Sequence, residues 1–198
     1  MLLPVMSACG TAAGWCIALW AANRRGIKLG GIPTLCLVLI AATAWLVGVI
    51  AGPSLAATTV AIGVAAVVDA RCGYVFNPLV IAGLIAVLAS AAAEQRLTSA
   101  SVGAISAVCV LFVIRLVAGV RGLGIGDVKL AAVLGSGLGP IHGLTAIGWA
   151  FVLGAGVAVC LLAAGRLQRG AQVPFGPYLL AGSLCDLAYH RLTTGVFS

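Results

Sequence analysis

The chain is poor in charge, and poorest in negative charge. Four of its 198 residues are acidic (Asp69, Glu94, Asp127 and Asp186) against eleven Lys and Arg, and charged residues make up 8% of the total. A soluble domain carries about a quarter charged residues, so there is too little charge here to cover a water-facing surface. The seven cysteines, Cys9, Cys16, Cys36, Cys72, Cys109, Cys160 and Cys185, include no Cys-x-x-Cys spacing, which removes the usual basis for a zinc site. Their odd number argues against a complete disulfide framework, and all but Cys72 read as small buried hydrophobes. No basic run is interleaved with aromatics, so the net charge of +7 does not point to nucleic acid. Internal repeats and low-complexity linkers are also missing. One integral membrane domain is therefore expected over 1–198.

What the chain has is apolar length. Hydrophobic residues make up 63% of it and the mean hydropathy is +1.22. With lipid as the outer solvent, backbone polar groups must be satisfied within helices or a closed barrel. The apolar runs lack the period-two alternation of barrel strands, which leaves an all-α polytopic membrane protein. A span takes roughly 20 apolar residues, and runs near 2–22, 33–51, 54–70, 78–94, 99–119, 141–165 and 174–190 qualify. A short segment, 128–139, raises the expectation to about eight transmembrane helices. The breaks fall at Gly52-Pro53, Asn77-Pro78, Gly139-Pro140, and Pro174 with Pro177. No basic region precedes the first run, so a retained helix is expected there rather than a cleaved signal peptide.

Placing the 23–32 loop in the cytoplasm puts Arg24, Arg25, Lys28, Arg71, Arg115, Arg121, Lys129, Arg166 and Arg169 inside or at the inner boundary. Only Arg96 and Arg191 then fall outside, the bias that retention of positive charge produces. The same alternation brings Asp69, ending the third span, and Asp127, opening the sixth, to the cytoplasmic side. A carboxylate at membrane depth is costly and is a functional candidate by default. Two at one depth can form a dyad sharing a proton, as aspartyl-protease chemistry requires. Each also has a plainer reading. Asp127 precedes an apolar helix, where Asp is a favoured N-cap, and Asp69 can sit hydrated or paired beside Arg71. Gly119, Gly122, Gly124 and Gly126 strip side chains from the approach to Asp127 and permit close backbone contact, or form an ordinary flexible loop. Lys129 snorkels to headgroups or tunes the carboxylates. Glu94 reads as a solvated loop charge, Asp186 as structural (interfacial, or paired with His190), and His142 and His190 as interfacial.

Three segments resemble those of type IV prepilin peptidases, a family of GxGD intramembrane aspartyl proteases. Gly124-Ile-Gly-Asp-Val-Lys-Leu130 is similar to the GxGDxKL motif. Asp69-Ala-Arg-Cys-Gly-Tyr-Val-Phe-Asn77 resembles the first catalytic Asp and its Ile-Pro-Asn segment, and Val173-Pro-Phe-Gly-Pro-Tyr-Leu179 the late Pro-Phe-Gly-Pro segment. The resemblance implies catalysis by Asp69 and Asp127, with Gly124, Gly126, Lys129, Asn77, Pro174, Phe175, Gly176 and Pro177 shaping the site, and no metal or cofactor. It implies a plasma-membrane, multi-pass enzyme that cuts the basic leader of a prepilin-like protein at the cytoplasmic face. It leaves the oligomeric state open. Two features depart from the family. Phe76 stands where the family has proline, so the turn after Asp69 is expected to be shaped differently. The interval Asn23–Ile32 leaves no room for the cysteine-rich insertion of the long forms, so N-methylation of the product is not implied. From other classes, a proton- or cation-coupled transporter would use paired Asp residues at the membrane midplane in two related halves. A silent pilus-assembly factor would not need both Asp residues.

Overall fold

The computed structural model of the chain describes residues 34–119, 123–165 and 174–195, together with Cys16. Within them lie seven helices: α1 (Thr34–Ala51), α2 (Pro53–Cys72), α3 (Asn77–Ala93), α4 (Leu97–Ala118), α5 (Ile125–Leu138), α6 (Pro140–Ala163) and α7 (Gly176–Gly195). Apart from Cys16, the expected span 2–22 lies outside the described residues, as do the cations Arg24, Arg25, Lys28, Arg121, Arg166 and Arg169, and Gly122 and Val173.

The proline breaks become helix starts. Pro53, Pro78 and Pro140 each sit in the first turn of their helix, where the missing N–H has no intrahelical partner to lose. Gly52 and Gly139 precede two of these starts at φ 106° and 81°, values that exclude a β-carbon at little cost only for glycine. α2 ends on Gly73 at φ 60°, whose N–H donates to the Asp69 carbonyl at 2.7 Å, closing the helix as a left-handed cap does.

Consecutive helices run up and down, so the bundle has two ends. The end holding the C-terminus of α2 and the N-termini of α3, α5 and α7 is called the site end, the opposite one the far end. α5 is central and packs against α2, α3, α4, α6 and α7. It is buried nearly all round, and its glycines allow that. Gly135 lies against Gly103 of α4 and Gly143 of α6, and a β-carbon on Gly137 would overlap Thr58 of α2. Backbones come this close in membranes where small residues face each other.

α2, α4 and α6 are long and apolar enough to cross a membrane. The outer faces of α4 and α6 carry large apolar side chains, among them Val117 at 85% and Ile141 at 73% exposure, an extent of apolar surface that water-facing exteriors do not show. The fourteen residues of α5 reach about 21 Å, short of the roughly 30 Å hydrocarbon core. Among the described residues the structure is all-helical, with three helices that meet the length and apolarity of a span. Cys109 and Cys160, expected inside, are exposed on α4 and α6, and Cys16 is exposed too. With an apolar exterior, a small hydrophobe has no need of the core.

Candidate active site

Both acids singled out above are at the site end. Asp69 occupies the last turn of α2 and is 6% exposed; Asp127 lies in the first turn of α5 and is 8% exposed. α5 begins three residues earlier than expected, so Asp127 is its third residue and not its N-cap; Gly124 is the N-cap. Asp127 Oδ2 reaches back to accept the Gly124 N–H at 3.1 Å, as an acidic residue at that position of a capping box does. Asp69 Oδ2 accepts the Gly176 N–H at 2.9 Å from the start of α7. Each carboxylate is thus held on one oxygen by the backbone N–H of a glycine.

A cleft of about 160 Å³ opens between them, lined by Asp69, Gly73, Tyr74, Val75, Asn77, Gly124, Ile125, Gly126, Asp127 and Lys129. Lys129 Nζ donates to Asn77 Oδ1 at 2.8 Å and ties α5 to α3 beside it. The glycines are needed for contact. A β-carbon on Gly126 would stand 3.1 Å from Val75 Cβ, and one on Gly176 3.0 Å from Asp69 Oδ2 and 3.2 Å from Ala66 Cα.

Of the ten expected site residues, Asp69, Asp127, Gly124, Gly126, Lys129 and Asn77 line the cleft, and Gly176 reaches it through its N–H. Pro174, Phe175 and Pro177 do not line it. The Phe175 carbonyl accepts the N–H groups of Tyr178 and Leu179 and starts α7, and its ring packs on Phe151 at 4.9 Å. Gly73, Tyr74, Val75 and Ile125 line the cleft and were not anticipated; their only sequence signal is adjacency to the motif residues. Phe76 is fully buried, packs edge-on against Tyr74 and caps α3 with φ −77°. Proline also holds φ near −65°, so Phe76 keeps a backbone shape that a proline would take and adds an aromatic ring to the core.

The other two acids are at the far end, and both early readings of their surroundings need correction. Glu94 is no solvated loop charge. Its Oε1 accepts the Ser54 N–H and its Oε2 the Ser54 hydroxyl, each at 2.7 Å, and Arg96 Nη1 lies 3.2 Å from Oε2. It caps α2 from the α3–α4 turn, where a negative charge meets the positive end of the helix dipole. Asp186 is 4% exposed; Oδ2 meets His142 Nδ1 at 3.1 Å and Oδ1 accepts the Thr145 hydroxyl. His142 and His190, expected to have no such neighbours, pack against each other as tilted rings with centroids 4.6 Å apart. Among the described residues no cluster of three or more His, Cys, Asp or Glu side chains could hold a metal.

Comparison with known proteins decides the family. Residues 55–159, 105 of 198, match the model of the type IV leader peptidase family. The chain belongs to that family. The matched stretch contains Asp69, Asn77, Gly124, Gly126, Asp127 and Lys129, while the α7 start that grips Asp69 lies beyond it. Curated relatives named prepilin leader peptidase/N-methyltransferase include one from Burkholderia pseudomallei, 36% identical over 57% of this chain and 37% of the relative. Others come from Stutzerimonas stutzeri, 36% identical over 52% and 36%, and Pseudomonas putida, 42% identical over 44% and 31%. The alignments thus span about a third of each relative's length. No solved structure matches the chain significantly.

Proposed function

We propose that this protein is a membrane aspartyl endopeptidase that removes the leader from a prepilin-like precursor, with Asp69 and Asp127 as its catalytic pair. The observation that carries the reading is the convergence of two buried carboxylates from separate helices on one cleft, each oriented by a glycine N–H. The family and the names of its relatives supply the substrate class. In the mechanism, the ionised carboxylate takes a proton from water as that water attacks the scissile carbonyl. The protonated partner polarises the carbonyl oxygen, and a proton then passes to the leaving amine as the C–N bond breaks. A bound water needs about 10–15 Å³ of cavity volume, so the cleft of about 160 Å³ has room for one. Gly124, Gly126 and Gly176 keep side chains out of its walls, and the Lys129–Asn77 pair fixes α5 against α3 at its rim. No step calls for a metal or cofactor.

The proposed topology is multi-pass in the plasma membrane, as one domain of eight crossings with α5 the short one. Arg71, Arg115 and Lys129 are at the site end and Arg96 at the far end, which supports a cytoplasmic site end by charge retention. The test is purified protein in lipid vesicles with a prepilin-like precursor. Release of the leader, read by mass spectrometry, is the expected result, with no methyl transferred from S-adenosylmethionine. An intact precursor in the presence of correctly folded protein would contradict the reading. In a variant whose only cysteine is Cys72, impermeant thiol reagents are expected to label from the cytoplasmic side alone.

A further inference from the structure

Arg115 lies in the last turn of α4, where a cation suits the helix dipole and where long side chains ordinarily snorkel towards headgroups. Its guanidinium has a backbone partner. Nη1 donates to the carbonyl of Leu123, on the far side of the connection between α4 and α5. The carbonyl of Leu123 and the N–H of Gly124 belong to one planar peptide unit, and that N–H is the one Asp127 Oδ2 accepts at 3.1 Å. One peptide is therefore pinned on both sides, by a guanidinium at its oxygen and a carboxylate at its nitrogen.

We propose that Arg115 is a positioning residue for Asp127, acting through the Leu123–Gly124 peptide. The inference rests on the reading of Asp127 as catalytic. Two physical effects carry it. A guanidinium on the carbonyl fixes the rotation of the peptide plane, and so the direction in which the Gly124 N–H points. It also polarises the peptide, because hydrogen bonds in a chain strengthen one another and a charged donor strengthens them most. Among the described residues Asp69 has no such arrangement: the carbonyl in its gripping peptide, that of Phe175, accepts two neutral N–H groups from α7. The two carboxylates are consequently held by unlike peptides, one charge-assisted and one not. A cation retained only for topology would leave the Gly124 N–H indifferent to its removal.

The experiment uses full-length protein in nanodiscs, labelled with 13C-carbonyl leucine and 15N glycine so that only Leu–Gly peptides give signals. In Arg115→Met the Gly124 amide proton is expected to move upfield, and kcat to fall about 10- to 100-fold with KM nearly unchanged, as misplacing a reacting group does. Arg115→Lys, which keeps one donor but not the planar fork, is expected to recover part of both. Loss of stability with kcat and the Gly124 resonance intact would overturn the proposal. If the Met variant does not fold, the unsubstituted protein decides: the Leu123 carbonyl carbon should resonate downfield of the other Leu–Gly carbonyls, and a value among them contradicts the contact. Asp127→Asn separates the two levels. An inactive Asp127→Asn beside a fully active Arg115→Met refutes positioning alone, whereas an active Asp127→Asn refutes the catalytic reading beneath it.

Discussion

Each end of the bundle holds two of the four acids, and the ends treat them differently. At the far end, Glu94 and Asp186 are each engaged on both oxygens, Glu94 by Ser54 and Arg96, Asp186 by His142 and Thr145. Their partners are side chains and one helix N-terminus, and the bonds tie α2 to the α3–α4 turn and α6 to α7. At the site end, Asp69 and Asp127 each take a glycine N–H on Oδ2 and line a common cleft. Burial alone does not separate the pairs, since Asp186 at 4% exposure is more enclosed than Asp69 or Asp127. The partners do. A carboxylate whose oxygens are both occupied in joining helices is a structural tie, while one oriented by backbone at the wall of a cavity is available for chemistry.

The sharpest test of this contrast is substitution by the amide, which keeps shape and removes the titratable proton. Asp69→Asn and Asp127→Asn are each expected to abolish leader cleavage, and the double variant to be scarcely worse, as for residues acting as a unit. Next comes the backbone grip. Gly176→Ala sets a β-carbon 3.0 Å from Asp69 Oδ2 and is expected to lower kcat about 10- to 100-fold with little change in melting temperature. Gly137→Ala, which meets Thr58 towards the far end, is expected to do the reverse: a lower melting temperature in detergent, with specific activity of the folded fraction retained. Smallest are the far-end acids. Glu94→Gln is expected to cost about 1–2 kcal/mol of stability through the weakened α2 cap. Asp186→Asn should cost about 1 kcal/mol, in the range of polar contacts between membrane helices. Both should cleave normally, and loss of cleavage in either, with folding intact, would dissolve the distinction between the ends.

Much of this arrangement was legible in the sequence because it is written locally. Gly-Pro and Asn-Pro breaks mark the starts of α2, α3 and α6, and alternation of apolar runs suffices to bring Asp69 and Asp127 to one end. The rest depends on partners far away in the chain. Glu94 finds Ser54 forty residues back, Asp186 finds His142 across forty-four, and Gly176 grips Asp69 across 107. No local pattern announces such pairs. Asp127 shows how a small boundary error changes a role: the helix starts at Ile125, and three residues turn an apparent N-cap into a side chain reaching back to the cap. Helix termini are where local signals are weakest, and this site is assembled at the termini of α2, α3, α5 and α7.

The central claim is that the two ends hold acids of different kinds, and one paired measurement tests it most directly. Asp127→Asn and Asp186→Asn proteins, reconstituted at equal folded amounts with a prepilin-like precursor, are compared for leader release. Asn at 127 still accepts the Gly124 N–H, so a residue that only caps α5 would tolerate the change. The account predicts no cleavage from Asp127→Asn and normal cleavage from Asp186→Asn. Normal cleavage by a well-folded Asp127→Asn protein would contradict it.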